Sequence, residues 1–354
     1  MYAGVSSHGF TWFLHREISF MVKQSLSGSG YMMGVDIGGT KVAVGLVDEA
    51  GSIVAQRRAP MISNSDAAAG LSSVIAAMDS VVGDLESPRD IRAIGICAPG
   101  PLDPQTGIII NPPNVPCWRN FPLAAEIAGR RNLPVKVDND ANSAALAEVR
   151  WGAGRGYNNV VYVTVGTGIG TGIILDGRIY HGRTGAAGEG GHVSIDYRGP
   201  ICTCGKPGCI EVLACGPAIA KRARAKLVAA GTPRTSMLLQ LANGDVEGVT
   251  TQTVGQASVA GDPIAHETLQ ETSDLVTLWL GNLVDLMDPE AIIFGGGATA
   301  VLLPFFPAMR TKLPRYCVNP RAGEVALLPA HYGADSGIAG GAALCYEIPP
   351  RVSQ

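Results

Sequence analysis

Charge is scarce in this sequence. Only 16% of its 354 residues are Asp, Glu, Lys or Arg, the net charge is −3, and no run of basic residues compensates locally. A nucleic-acid binder needs a basic face to neutralise phosphates, so nucleic acid is not expected as a partner. Long apolar runs are missing too: none reaches the roughly 18 residues that cross a bilayer. The nearest approach close to the N-terminus, Phe10 to Val22, is interrupted by His15, Arg16 and Glu17. That interruption also argues against a signal-peptide core, so no membrane partner is expected and the cytoplasm is the expected compartment. In place of charge stand apolar and small residues, with 46% hydrophobic positions and 46 glycines. This composition excludes wholesale disorder and fits a compact enzyme. A prior of roughly 150 residues per domain makes about two domains the expectation.

The first 31 residues end in the Ser/Gly tract Ser25 to Gly30 and read as a flexible extension, with Met21, Met32 or Met33 as alternative starts. From Met33 to Pro60 the pattern is strand, Gly-rich turn, strand, turn, strand, which predicts an antiparallel meander. A helix is expected over Ala67 to Val82, then a strand over Ile91 to Cys97, a helix over Leu123 to Arg131 and a strand over Val135 to Val137. Alternation of this kind gives a mixed or parallel sheet with helices on its faces. The next helix, Ala141 to Val149, has Asn139 and Asp140 at its start. A second round follows: strand Val160 to Val165, Gly-rich turn Gly166 to Gly170, strand Gly172 to Leu175 and the Asp176-Gly177 turn. It resembles the first round, as an internal duplication would. A long helix from Pro263 to Leu286, the strand Ala291 to Phe294, the loop Gly295 to Gly297 and a C-terminal helix opened by Asp335-Ser336-Gly337 complete the order.

In the first Gly-rich hairpin, Asp36 precedes Gly38, Gly39, Thr40 and Lys41. A turn without side chains lets backbone N–H groups approach phosphate oxygens, and Thr40 and Lys41 add polar and cationic contacts. Gly166, Thr167 and Gly168 offer the same in the second. Neither matches a Walker A loop or a Rossmann fingerprint, because neither leads from a strand into a helix. The plainer alternative is two β-hairpins with Gly supplying positive φ.

Three of the eight cysteines fall together as Cys202-Thr-Cys204-Gly-Lys-Pro-Gly-Cys209, with His192 ten residues upstream. Four soft ligands at turn-rich spacing suit a tetrahedral structural Zn²⁺, and a reducing cytoplasm disfavours disulfides. Gly205 and Gly208 let the chain fold around the ion. Cys97, Cys117, Cys215, Cys317 and Cys345 read as inert core thiols.

Phosphoryl transfer to a hydroxyl requires a base and polar groups to orient the acceptor. Asp140, at a strand-to-helix junction, is placed for the base; capping its helix is the alternative role. Glu189 and Glu211 flank the Cys/His cluster and would be held rigidly by a bound metal, or else be solvated loop acids.

Asp36-Ile-Gly-Gly-Thr-Lys41, Asn139-Asp140-Ala-Asn142, Gly166-Thr-Gly-Ile-Gly170, Glu189-Gly-Gly-His192 and the Cys202 to Glu211 stretch, taken in that order, resemble the ROK family (repressor, open reading frame, kinase), and within it the bacterial glucokinases. The resemblance runs from about Met33 to the C-terminus. It implies an α/β, actin-like ATPase (ribonuclease H-like) fold, with two α/β domains and an interdomain cleft. The expected division is residues 32–138 plus about 338–354 as a small domain and 139–337 as a large one, with a zinc-binding loop over 192–209. ATP phosphates would be held by the two hairpins, with Mg²⁺ accompanying ATP, and the adenosine side approached by Gly295, Gly296 and Gly297. Asn114, in Pro113-Asn114-Val115-Pro116-Cys117-Trp118, matches the family's sugar loop. Asn139, Asp140, Glu189, His192 and Glu211 match its other hydroxyl contacts, with Asp140 the base and His192 serving both zinc and sugar.

What the resemblance implies is ATP-dependent phosphorylation of a hexose, glucose to glucose 6-phosphate first. An N-acetylhexosamine or mannose kinase, or a non-catalytic sugar-sensing regulator, is the alternative, and polyphosphate is an alternative donor. A homodimer or homotetramer is implied as well. The family's repressors carry an N-terminal DNA-binding winged helix, whereas fewer than 35 non-basic residues precede the first strand here. Two positions depart from the family pattern. Gly190 stands where a larger apolar residue is usual and is expected to leave the sugar loop less braced, with hexose identity the point most exposed. Thr171 stands where Gly is frequent and is expected to matter little.

Overall fold

A computed structural model of the chain describes residues 30–83, 91–231 and 235–346. The expected N-terminal extension, up to residue 29, and the C-terminal residues 347–354 lie outside the described residues. The chain falls into two compact units, one running to Asp140 and taking in the segment from Gly337, the other spanning Ala141–Ser336.

The first unit contains β1 (Tyr31–Ile37), β2 (Lys41–Val47), β3 (Ile53–Pro60), β4 (Ile91–Ala98), the two-residue strands β5 (Leu102–Asp103) and β6 (Ile108–Ile109), and β7 (Val135–Asn139). Its five-stranded sheet has the order β3-β2-β1-β4-β7, antiparallel across β1, β2 and β3 and parallel from β1 through β4 to β7. Strands β1 and β2 are buried nearly throughout, as expected of strands covered on both faces. Edge strand β3 carries the exposed Arg57 and Arg58, charges that discourage further pairing. Helix Ala67–Val82 is capped by the Asp66 carboxylate, which accepts the Ala69 N–H at 2.7 Å, and it buries Leu71, Val74, Met78 and Val81 along one stripe.

Helix Ser336–Ala343 reaches this sheet backbone to backbone. A Cβ on Gly34 of β1 would lie 1.8 Å from the Ile338 carbonyl oxygen, and one on Gly95 of β4 1.7 Å from that of Gly341. Only bare backbone fits at these points, so the glycines fix how closely the helix sits.

The second unit repeats the plan with β8 (Val160–Val165), β9 (Ile169–Leu175), β10 (Arg178–Ile179), β11 (Ala291–Gly295) and β12 (Ala326–Pro329). Its order is β10-β9-β8-β11-β12, with β8, β9 and β10 antiparallel and β11 and β12 parallel to β8. Relation for relation this is the first sheet again, which is what an internal duplication predicts. Asp176 and Gly177 both have positive φ, as a two-residue β9–β10 turn requires. Between β10 and β11 the chain forms helices Ile210–Ala214, Gly216–Ala229, Met237–Leu241, Thr251–Val259 and the 25-residue Pro263–Met287, which buries Trp279.

Several predicted boundaries move. Strand β9 starts at Ile169 instead of Gly172, because Gly170 pairs with Thr164 in the ladder and backbone pairing needs no side chain. The hairpin turn is thereby cut to Gly166–Gly168. Strand β11 takes in Gly295, and the helix after β7 begins at Asp140 itself. Among the described residues no helix is long and apolar enough to cross a membrane.

Candidate functional site

In the first unit, the Gly38 N–H donates to the Lys41 carbonyl at 2.9 Å and closes the β1–β2 turn. Neither Gly38 nor Gly39 has positive φ, so that demand is not why they are glycines. At Gly39 the reason is contact: a Cβ there would lie 2.6 Å from the Asn114 carbonyl oxygen. The predicted phosphate turn thus touches the predicted sugar loop. That loop is anchored by the buried Val115 and Trp118; the indole N–H of Trp118 donates to the Ala67 carbonyl at 3.3 Å and its ring stacks on Phe121. Thr40, Lys41 and Asn114 are exposed above these anchors.

Asp36 is half-buried near the end of β1, between the buried Val35 and Ile37. Burial, and after it the negative charge of Asp140, pushes its carboxyl up to about 6, against the opposing pull of Lys41 and Arg58. Room beside it exists only because residue 337 is glycine, where a Cβ would lie 2.3 Å from Asp36 Cγ. Asp140 is exposed and opens its helix, where the free N–H groups favour a carboxylate. Asn139 precedes it, its N–H donating to Asp138 Oδ1 at 2.7 Å.

In the second unit, the Glu211 carboxylate accepts the Ile169 N–H through Oε2 at 3.0 Å. A Cβ on Gly168 would lie 2.5 Å from that oxygen, so the hairpin glycine makes way for Glu211. The other oxygen, Oε1, lies 3.9 Å from His192 Nδ1 and 3.9 Å from Cys202 Sγ. Behind it, one ligand atom from each of His192, Cys202, Cys204 and Cys209 falls within 4.8 Å of the others, a set that could hold a metal ion. Cys202 Sγ is 3.6 Å from His192 Nδ1, and Cys204 Sγ is 3.6 Å from Cys209 Sγ. Gly205 and Gly208 have positive φ, and a Cβ on Gly208 would collide with the Asp196 carbonyl, so the loop tightens as expected around the four groups. Burial and the neighbouring thiols push the Cys209 thiol up to about 12, so a thiolate there calls for a cation.

The Glu189–His192 segment gives Thr171 a structural part. The buried Thr171 hydroxyl donates to the Gly188 carbonyl and accepts the Gly190 N–H at 3.0 Å, so Thr171 braces the loop that Gly190 was expected to leave loose. The buried Trp279 indole adds a third tie, donating to the Gly190 carbonyl at 3.1 Å. Glu189 itself is exposed.

Of the three glycines expected near adenosine, Gly295 is buried in β11 with the Tyr162 hydroxyl where its Cβ would be. Gly296, at positive φ, packs on the Val165 carbonyl, and Gly297 alone faces open space. Sequence reasoning passed over Gly216, whose N–H donates to the Gly166 carbonyl at 2.8 Å, and Thr251, whose hydroxyl donates to the Gly216 carbonyl at 2.7 Å. Gly216-Pro217 opening a helix was a usable signal for the first. Nothing local marks Thr171 or Trp279.

Two sheets of one topology, each opening on a glycine hairpin, define the actin-like ATPase fold. The ROK family model matches residues 32–348, and the chain belongs to the ROK family. It is 35% identical over 323 residues to a glucokinase of Streptomyces coelicolor, covering 91% of this chain and 99% of that protein. The crystal structure of a ROK family glucokinase from Streptomyces griseus, in complex with glucose and AMPPNP, superposes with a TM-score of 0.75 at 34% identity, covering 89% of this chain and 99% of that one. A xylose repressor of Caldicellulosiruptor bescii is 29% identical over 294 residues, 83% of this chain and 71% of the repressor.

Proposed function

We propose that the protein is an ATP-dependent hexose kinase that transfers the γ-phosphoryl group of Mg-ATP to the 6-hydroxyl of glucose. The observation that carries this reading is the same juxtaposition made twice: Gly39 against Asn114 in one unit, and Glu211 bonded to Ile169 in the other. In each unit a turn suited to phosphate lies against a residue whose side chain suits sugar hydroxyls, through the backbone of Asn114 in one and the carboxylate of Glu211 in the other. The glucokinase relatives add weight to it.

In this reading the backbone N–H groups of Gly39, Thr167 and Gly168 donate to phosphate oxygens, in turns that the Gly38 and Gly166 N–H groups close, and Thr40 and Lys41 add a hydroxyl and a cation. Asp36, half-buried with Lys41 near it, would hold the Mg²⁺ that accompanies ATP, and Gly296 and Gly297 would bound the nucleotide's other end. Asn114, Asn139, Glu189, His192 and Glu211 orient the sugar. Asp140, an exposed carboxylate at a helix start, takes the proton of the attacking hydroxyl.

The four-residue cluster fits Zn²⁺. Zn–S bonds of about 2.3 Å in a tetrahedron put sulfurs about 3.8 Å apart, close to the separations found. With Nδ1 on the ion, His192 presents Nε2 on the opposite side of its ring, where it can donate to a sugar hydroxyl. Four protein ligands leave no open position, so the ion's part is to hold the loop between Glu189 and Glu211.

The xylose repressor relative favours a second reading, a sugar-sensing regulator without catalysis. A coupled assay over a panel of hexoses, with ATP and polyphosphate as donors, separates the two. Glucose with ATP is expected to give the highest kcat/KM, and Asp140→Asn to lose on the order of 10²- to 10⁴-fold in kcat. Turnover with no hexose hands the case to the regulator; preference for mannose or an N-acetylhexosamine moves the substrate; substantial activity in Asp140→Asn removes Asp140 from the base role.

A further inference from the structure

We propose that Thr171 is a positioning residue for hexose binding: with Gly190 it forms a complementary pair that fixes the peptides on both sides of Glu189 and so sets hexose affinity. The inference rests on the sugar-kinase reading of the Glu189–His192 segment and goes beyond it.

Thr171 lies on β9, two residues past the Ile169 that Glu211 holds, and is only 4% exposed. Its hydroxyl uses both of its capacities, one donor and one acceptor, on the chain around Glu189. The O–H goes to the carbonyl of Gly188 and the lone pair receives the N–H of Gly190. Those two groups belong to the residues immediately before and after Glu189, so one side chain settles the course of backbone on both sides of it. Trp279 holds the next carbonyl, that of Gly190.

The glycine at 190 is the other half of the pair. A Cβ there would lie 2.6 Å from Thr171 Oγ1 and 2.9 Å from Thr171 Cγ2, so any side chain at 190 and the threonine at 171 exclude each other. Gly191 differs: its Cβ would meet the Ile169 carbonyl oxygen at 1.8 Å, a backbone atom that no side-chain replacement removes. Residue 190 is therefore glycine because of one side chain, and residue 191 because of the fold.

The test uses Thr171→Val, which keeps the shape and loses the hydroxyl; Thr171→Ser, which keeps the hydroxyl; Gly190→Ala; and the double variant Thr171→Gly with Gly190→Ala. Thr171→Val is expected to raise the glucose KM about tenfold, the scale of a buried N–H left without its acceptor, while the ATP KM stays within about twofold. Thr171→Ser is expected to restore the wild-type value. Gly190→Ala alone is expected to raise the glucose KM, and adding Thr171→Gly to recover most of that loss, an interaction between the two sites that independent positions do not show. Amide hydrogen exchange of residues 188–192 reads the clamp without catalysis: faster in Thr171→Val, unchanged in Thr171→Ser. An unchanged glucose KM in Thr171→Val, an equal loss for both substrates, or additive effects in the double variant overturns the proposal. If the wild-type protein phosphorylates no hexose, the kinase reading fails, and hexose binding by calorimetry decides the pair instead: weakened binding in Thr171→Val together with faster exchange upholds it, and unchanged binding or unchanged exchange sinks it.

Discussion

Glu211 Oε2 accepts the backbone N–H of Ile169 at 3.0 Å, which ties the residue two places past the last cysteine of the Cys/His cluster to the end of a glycine hairpin. A carboxylate in that position senses both neighbours. What moves the hairpin moves Glu211, and what loosens the metal loop reaches the hairpin.

Gly168→Ala tests this tie. Its new methyl would lie 2.5 Å from Glu211 Oε2, so the carboxylate must swing away, and KM is expected to rise several-fold for glucose as well as for ATP. Gly166→Ala, where a Cβ meets nothing within 4 Å, is expected to affect ATP alone. Two-substrate kinetics on the pair decide the matter; a Gly168→Ala enzyme with a normal glucose KM would break the proposed connection.

Metal analysis of the purified protein is expected to find one zinc per chain, and Cys209→Ser to lose it. Loss of the ion should lower the melting temperature and weaken glucose binding, since His192 is one of the four groups and Glu189 lies three residues before it. Full stability and full glucose affinity after chelation would show that the cluster holds no structural ion.

Asp36 makes stability depend on pH. Its carboxyl is raised from 3.8 to about 6 in the folded protein, so between those values the folded chain holds a proton that the unfolded chain has shed. Stability from this group is therefore full below pH 3.8 and is lost as pH rises from there through about 6, by roughly 3 kcal/mol. Asp36→Asn removes the loss, so the variant should be the more stable protein at pH 7 to 8 while having almost no kinase activity. Denaturant melts at pH 4 and pH 7.5 check it; an equal pH slope in both proteins would assign the effect to another group.

Gly95→Ala is expected to be among the most damaging single-methyl changes, costing about 3 kcal/mol or more, because the methyl would sit 1.7 Å from the Gly341 carbonyl oxygen and neither backbone can yield. Gly129→Ala, with nothing within 4 Å of the new methyl and a place inside helix Leu123–Arg131, should stabilise slightly. Thermal melts of the two rank them.

Local chemistry was legible from the chain alone. Helix Ala67–Val82 and helix Leu123–Arg131 have the bounds their periodicity predicts, because a turn of helix is decided by residues three and four apart. The Cys/His cluster was legible for a similar reason: three of its four residues lie within eight positions of one another. The hairpin glycines were legible as hairpins, but their purpose was not. Gly39 answers to Asn114, Gly168 to Glu211 and Gly190 to Thr171, and none of these partners is near in sequence.

By itself, then, the sequence determined the order of elements, the Cys/His set that could hold a metal ion and the repeated strand–turn–strand plan, all properties of short stretches. Only the tertiary structure decided that Thr171 braces the loop carrying Glu189, that Glu211 grips the second hairpin, and that Gly337 lies against Asp36 and also accepts a hydrogen bond from Cys97, 240 residues away. The physical reason is range. Propensity and capping act over a turn or two of chain, whereas close packing is settled by whichever distant segment the completed fold brings into contact.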